Sequence, residues 1–146
     1  MPQRDNFDVA RVLLAKAIED EVLVRTVVDN NDIGDAIVGF HGQQAVEKLA
    51  KAVLTAHGIE FAKTHDLDYL IDLVEKNAIA APEELEASEA LSTWAVESRY
   101  DDEDTSTLDR KGMLKLIPPL RTWAEREIEV LSRPAESPDG IQSDAR

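Results

Sequence analysis

Between Ile33 and His57 the apolar residues wrap around more than one side of a helix. At 100° per residue, Val38, Ala45, Val46, Leu49, Ala50, Val53 and Leu54 cover an arc of about 160–180°. His41, Gln44, Lys48, Lys51 and Thr55 are confined to a ribbon about 80° wide. A helix apolar over so wide an arc touches neighbours on several sides, so it is the centre of a bundle. Gly58 follows it as the residue that leaves the helix.

The remaining segments carry helical periods and no strand-like alternation. A first helix is expected over about Phe7–Val28, capped by Asp5 or Asn6. Its core stripe is Phe7, Ala10, Leu13, Leu14, Ala17, Ile18 and Val22. Asp29-Asn30-Asn31-Asp32 is a turn that supplies its own cap to the second helix. Thr64 or Asp66 caps a third helix over about Leu67–Asn77, with Leu67, Leu70, Ile71 and Val74 inward. Pro82 fits the first position of a fourth helix that turns Leu91, Trp94, Ala95 and Ser98 to one face. A polar, acidic loop follows from Arg99 to Ser106. A fifth helix runs from about Thr107 to Leu131, with a kink or restart at Pro118-Pro119. These elements predict an all-α, up-and-down antiparallel bundle of four to five helices over residues 1–131. The tail, 132–146, has two prolines, a glycine and no apolar period, and reads as disordered.

Composition narrows the function classes. The 146 residues suit one domain with one real core. The absence of cysteine excludes disulfides, thiolate metal sites and a cysteine nucleophile. A formal net charge of −14 argues against a broad, non-specific grip on nucleic acid, because phosphate contacts need clustered cations. It suits a soluble protein or one with a basic partner. Met1-Pro2-Gln3-Arg4-Asp5-Asn6 has no apolar signal region, and no apolar run reaches the roughly 20 residues of a membrane span. A cytoplasmic location without membrane contact is expected.

By spacing alone the ribbon is a solvated face, but two lysines and a histidine there would also bind phosphate or carboxylate. Glu47 lies beside it and can pair with Lys51 at i,i+4. Gln43 falls on the apolar side, so it should be buried and hydrogen-bonded to a neighbour. His65 precedes the third helix and can hold its loop against the bundle. Arg99-Tyr100 offers a phosphate fork, followed at once by Asp101, Asp102, Glu103 and Asp104. The three histidines have no metal spacing, so neither a metal site nor another cofactor is expected. The common nucleotide-loop and nucleophile-elbow motifs are absent.

Phe40-His41-Gly42-Gln43-Gln44-Ala45-Val46-Glu47-Lys48-Leu49-Ala50-Lys51, then Gly58-Ile59, Thr64-His65-Asp66-Leu67 and Ala95-Val96-Glu97-Ser98-Arg99-Tyr100 together resemble the HEPN domain, over about residues 7–131. The resemblance implies a helical bundle, commonly homodimeric. It implies a minimal nucleotidyltransferase as partner, often within a toxin–antitoxin pair, and nucleotide or RNA as ligand. Some members are metal-independent ribonucleases that use an arginine and a histidine separated by four to six residues. Arg99 stands where that arginine is expected. Asp104, Thr105 and Ser106 stand where the histidine would fall, and no other arginine has a histidine at that spacing. Attack by a 2′-OH needs a group poised near neutrality, and carboxylates at that point repel the phosphate.

Two functions follow. The first is a HEPN binding module, not a family-type ribonuclease, with His41, Gln44, Lys48, Lys51, His65, Arg99 and Tyr100 as ligand or partner contacts. The second is a divergent ribonuclease toxin, with Arg99 as its catalytic candidate and Tyr100, His41 or His65 supplying the remaining chemistry.

Overall fold

A computed structural model describes residues 5–95 and 107–134. α1 spans Asn6–Val27, α2 Asp35–Ala56, α3 Leu67–Lys76, α4 Glu83–Ala87 and α5 Arg110–Ser132, with a 3₁₀ segment over Ser88–Trp94. No strand occurs among the described residues. The chain is an all-α bundle.

The caps explain where the helices begin. Asp5 Oδ1 accepts from the Asp8 amide at 2.8 Å and starts α1. Asp66 Oδ1 accepts from the Tyr69 amide at 3.2 Å and starts α3, so Asp66 is the cap. Thr64 supports it, its Oγ1 accepting from the Asp66 amide at 2.9 Å. Asp109 Oδ1 accepts from the Gly112 amide at 3.0 Å and starts α5, three residues after Thr107. α2 departs from the expected pattern: its N-cap is Gly34, with no side-chain cap bond. Asp35, in its first turn, is held by Arg110 instead.

Arg110 joins three parts of the chain. Its Nε donates to Asp35 Oδ1 at 2.8 Å and one terminal nitrogen donates to the Asn30 carbonyl at 3.1 Å. The same nitrogen reaches the carbonyls of Val27 and Val28, both at 3.4 Å, and the other terminal nitrogen reaches that of Ile33 at 2.5 Å. The guanidinium thereby satisfies orphan carbonyls at the end of α1.

α2 is the central helix, as its wide apolar arc predicts. Val38, Ala45, Val46, Leu49, Ala50, Val53 and Leu54 are all buried in the main core cluster. α1 runs antiparallel to α2, with Asp20 beside Lys48 and the Asn6 end beside Thr55. α5 runs antiparallel to α1, since Arg110 meets the end of α1 and Arg121 meets Glu21. Glycines let two neighbours approach α2 closely. A Cβ on Gly39 would lie 2.6 Å from Trp94 Cδ2, and one on Gly42 would meet the Met113 sulfur. Gly58, at φ 72, is the left-handed exit from α2.

Three expectations change. The fourth helix is short and passes into a 3₁₀ segment, with Pro82 as its N-cap and not its first residue. Leu91 and Trp94 are buried as expected, whereas Ala95 is half-buried and Ser98 lies outside the described residues. α5 does not restart at its prolines; it is one helix through Pro118 and Pro119. Met113, Ile117, Leu120, Ala124 and Ile128 keep one buried face on both sides of the proline pair, and this common burial holds the helix in register. Val22, expected in the core, is 44% exposed. Most of the expected tail, from 135 onward, lies outside the described residues.

Candidate functional site

The polar ribbon of α2 is not a solvated face. It is a seam packed between α1, α2 and the loop leading into α3, and two buried carboxylates organise it.

Asp20, on α1, is the first. It is 8% exposed, and its Oδ2 accepts from Lys48 Nζ at 2.6 Å. His41 Nδ1 lies 3.1 Å from its other oxygen. Glu47, on α2, is the second and is 2% exposed. Lys51 Nζ donates to Glu47 Oε2 at 3.2 Å and to the Thr64 carbonyl at 2.7 Å. The i,i+4 pairing of Glu47 with Lys51 is thus present. His65 Nδ1 lies 3.0 Å from Glu47 Oε1 and 3.2 Å from Oε2.

Gln43 is buried and bonded, as its position on the apolar side requires. Its Nε2 donates to the His65 carbonyl at 3.3 Å and to Glu47 Oε1 at 3.4 Å, while its Oε1 accepts from Gln44 Nε2 at 2.9 Å. Gln44 is itself buried. Buried amides and carboxylates are costly unless bonded in this way.

The expected site residues therefore fall into groups. His41 and Lys48 meet at Asp20. Lys51 and His65 meet at Glu47, with Gln44 linked through Gln43. Thr55 lies apart, on the wall of an open groove of about 420 Å³ with Asn6 and Phe61. Arg99 and Tyr100 lie outside the described residues. His65 alone of the seam's cationic or titratable members is well exposed, at 71% of its side chain. With Nδ1 facing Glu47, Nε2 is the ring nitrogen left without a hydrogen-bond partner among the described residues.

Asp20 was not anticipated, although the sequence held a signal. The core positions Ala10 and Ala17 continue by steps of three and four to Asp20, Glu21 and Val24. Two acids on a core face demand partners. Glu21, 2% exposed, finds its own on α5: Arg121 Nε donates to Glu21 Oε1 at 2.7 Å. That bond raises the guanidinium pKa above its ordinary value, against the opposing effect of burial. Glu21 Oε2 has no hydrogen-bond partner among the described residues.

Among the described residues no cluster of three or more His, Asp or Glu is arranged to hold a metal ion. No described helix is long and apolar enough to cross a membrane. No curated protein and no solved structure matches the chain. The family model for the HEPN domain matches residues 10–128, from the first turns of α1 to the last turns of α5. With that match over most of its length, the chain belongs to the HEPN domain family.

Proposed function

We propose that the chain is a HEPN binding module, not a family-type ribonuclease. In this reading it acts as a dimer with a minimal nucleotidyltransferase partner, in a toxin–antitoxin pair, in the cytoplasm. Nucleotide contact falls at the His65 end of the seam. The observation that carries the reading is how the seam's basic side chains are used. His41 and Lys48 are spent on Asp20, and Lys51 on Glu47 and the Thr64 carbonyl. The ribbon is thus a preformed, internally neutralised scaffold and not a strip of free charge for pulling in RNA. The sequence adds the missing histidine after Arg99. Two measurements test the proposal: co-purification from the native host, and calorimetry with ATP and other nucleotides. A nucleotidyltransferase in the purified complex supports it. Absence of that partner together with no heat from any nucleotide ends it.

The Glu47–His65 pair favours a second reading, a divergent ribonuclease. A buried carboxylate that fixes an exposed imidazole is the arrangement of an oriented general base. Incubation of the pure protein with total RNA, beside the His65→Ala, Glu47→Gln and Arg99→Ala variants, decides it. Cleavage lost with His65→Ala would replace the first reading, whereas an inert wild-type protein removes the second.

A further inference from the structure

A different part of the molecule faces outward, uncovered by any other described residue. Where the end of α1 meets the start of α2, an apolar cavity of about 90 Å³ opens between Leu23, Val24, Val27, Ile33, Ile37 and Val38. That volume is of the order of one aliphatic side chain. Leu23 and Ile37, at 38% and 43% exposure, stand on its wall from opposite helices. His41 completes the wall, which is apolar throughout, and its Nδ1 is engaged by Asp20.

The charge beside the lining on the cavity's side is acidic; Arg25, in the last turn of α1, lies about 160° around the helix from Leu23. Glu19 lies one helical turn before Leu23, and Asp29 and Asp32 lie in the turn joining α1 to α2. All three are exposed and form no ion pair among the described residues. The cation behind that turn, Arg110, is held by Asp35. On the Leu23 face of α1 the nearest lysine is Lys16, about 10 Å back along the axis at 1.5 Å per residue. An apolar hole whose lining residues have unpaired acids as near neighbours in the chain selects a ligand with an aliphatic knob and basic flanks.

We propose that this cavity is a docking site for a basic amphipathic helix of a partner protein, which seats one aliphatic side chain between Leu23 and Ile37. The proposal rests on the reading of the chain as a binding module and adds the surface and the partner's chemistry. Glu19, Asp29 and Asp32 face lysines or arginines on the helix's polar side.

Two fluorescent 16-residue helical peptides test it on the full chain by anisotropy. They share one leucine stripe, and their polar faces carry either lysine or glutamate. The lysine peptide is expected to bind at least tenfold more tightly than the glutamate peptide. Leu23→Asp or Ile37→Asp weakens the lysine peptide at least tenfold. Val9→Asp, the same kind of change on α1 about 20 Å away at 1.5 Å per residue, leaves it within twofold. Circular dichroism confirms that each variant is folded. Equal binding of both peptides, no binding of either, or an equal loss with Val9→Asp overturns the proposal. So does sedimentation showing that Leu23→Asp splits a dimer, because the face then belongs to a second copy. A nucleotidyltransferase that still co-purifies with Leu23→Asp removes this surface but leaves the binding-module reading intact.

Discussion

Asp20 holds Lys48 at 2.6 Å on one carboxylate oxygen and His41 at 3.1 Å on the other, so one residue of α1 fixes two turns of α2. The side chain of Asp20 is 11% exposed and that of Lys48 24% exposed, so solvent screens the pair only in part. Removing one partner leaves the other charge half-buried and unpaired. Asp20→Asn is expected to cost about 1–3 kcal/mol, below the range for a fully buried pair. Adding Lys48→Met should recover part of that loss, because the stranded ammonium is gone. Urea titration of the single variants and the double variant measures the coupling. A loss under about 0.5 kcal/mol for Asp20→Asn would show that the pair is ornamental.

Glu47 governs a different region. It gathers Lys51, His65 and Gln43, and through His65 and the Thr64 carbonyl it ties the loop before α3 to α2. Glu47→Ala is expected to cost about 3 kcal/mol, since buried donors lose their acceptor. The effect is also local. Amide hydrogen exchange between 58 and 66 should rise at least tenfold more than exchange in the middle of α5. Uniform acceleration along the chain would mean that Glu47 supports only global stability.

These two carboxylates mark how far the sequence could be read. The central position of α2, the burial of Gln43 and the Glu47–Lys51 pair follow from helical spacing, which is a local property. The neutralisation of the ribbon does not, because its partners lie far away in the chain: Asp20 is 28 residues from Lys48, and His65 is 18 from Glu47. Spacing gives the face on which a residue lies but not what stands opposite. The proline pair taught a related lesson. Local rules count the two lost donors at Pro118 and Pro119, whereas the burial that offsets them comes from α1 and α2.

Arg110 is a further long-range partner, reaching Asp35 and four carbonyls between Val27 and Ile33. Its side chain is 15% exposed. Arg110→Ala removes the fork, leaving Asp35 with only the Leu108 amide and stripping the turn carbonyls of their cation, for an expected loss of about 2–4 kcal/mol. Lysine cannot span the same set, because it has no planar fork. Arg110→Lys should therefore restore less than half of the loss. Thermal and urea unfolding of the two variants checks this, and full rescue by lysine would reduce the role of Arg110 to its charge.

Gly39 and Gly42 have the same secondary structure and opposite tolerance. In both cases alanine would gain about 1 kcal/mol of helix propensity over glycine. At Gly39 the new methyl would meet the indole of Trp94, with Cδ2 at 2.6 Å, and a wide rigid ring can yield only by shifting as a whole. At Gly42 it would meet the sulfur and terminal methyl of Met113, the movable end of an unbranched chain. Overpacking of a rigid neighbour costs about 1–3 kcal/mol. Gly39→Ala should accordingly destabilise by up to about 2 kcal/mol net, and Gly42→Ala should lie within about 1 kcal/mol of the parent. Trp94 also reports the difference directly. Its fluorescence should shift in Gly39→Ala and stay unchanged in Gly42→Ala, because only the first methyl displaces the indole. Equal destabilisation of the two variants, with equal spectra, would show that Trp94 yields as readily as Met113 and that α2 is not pinned by its 3₁₀ neighbour.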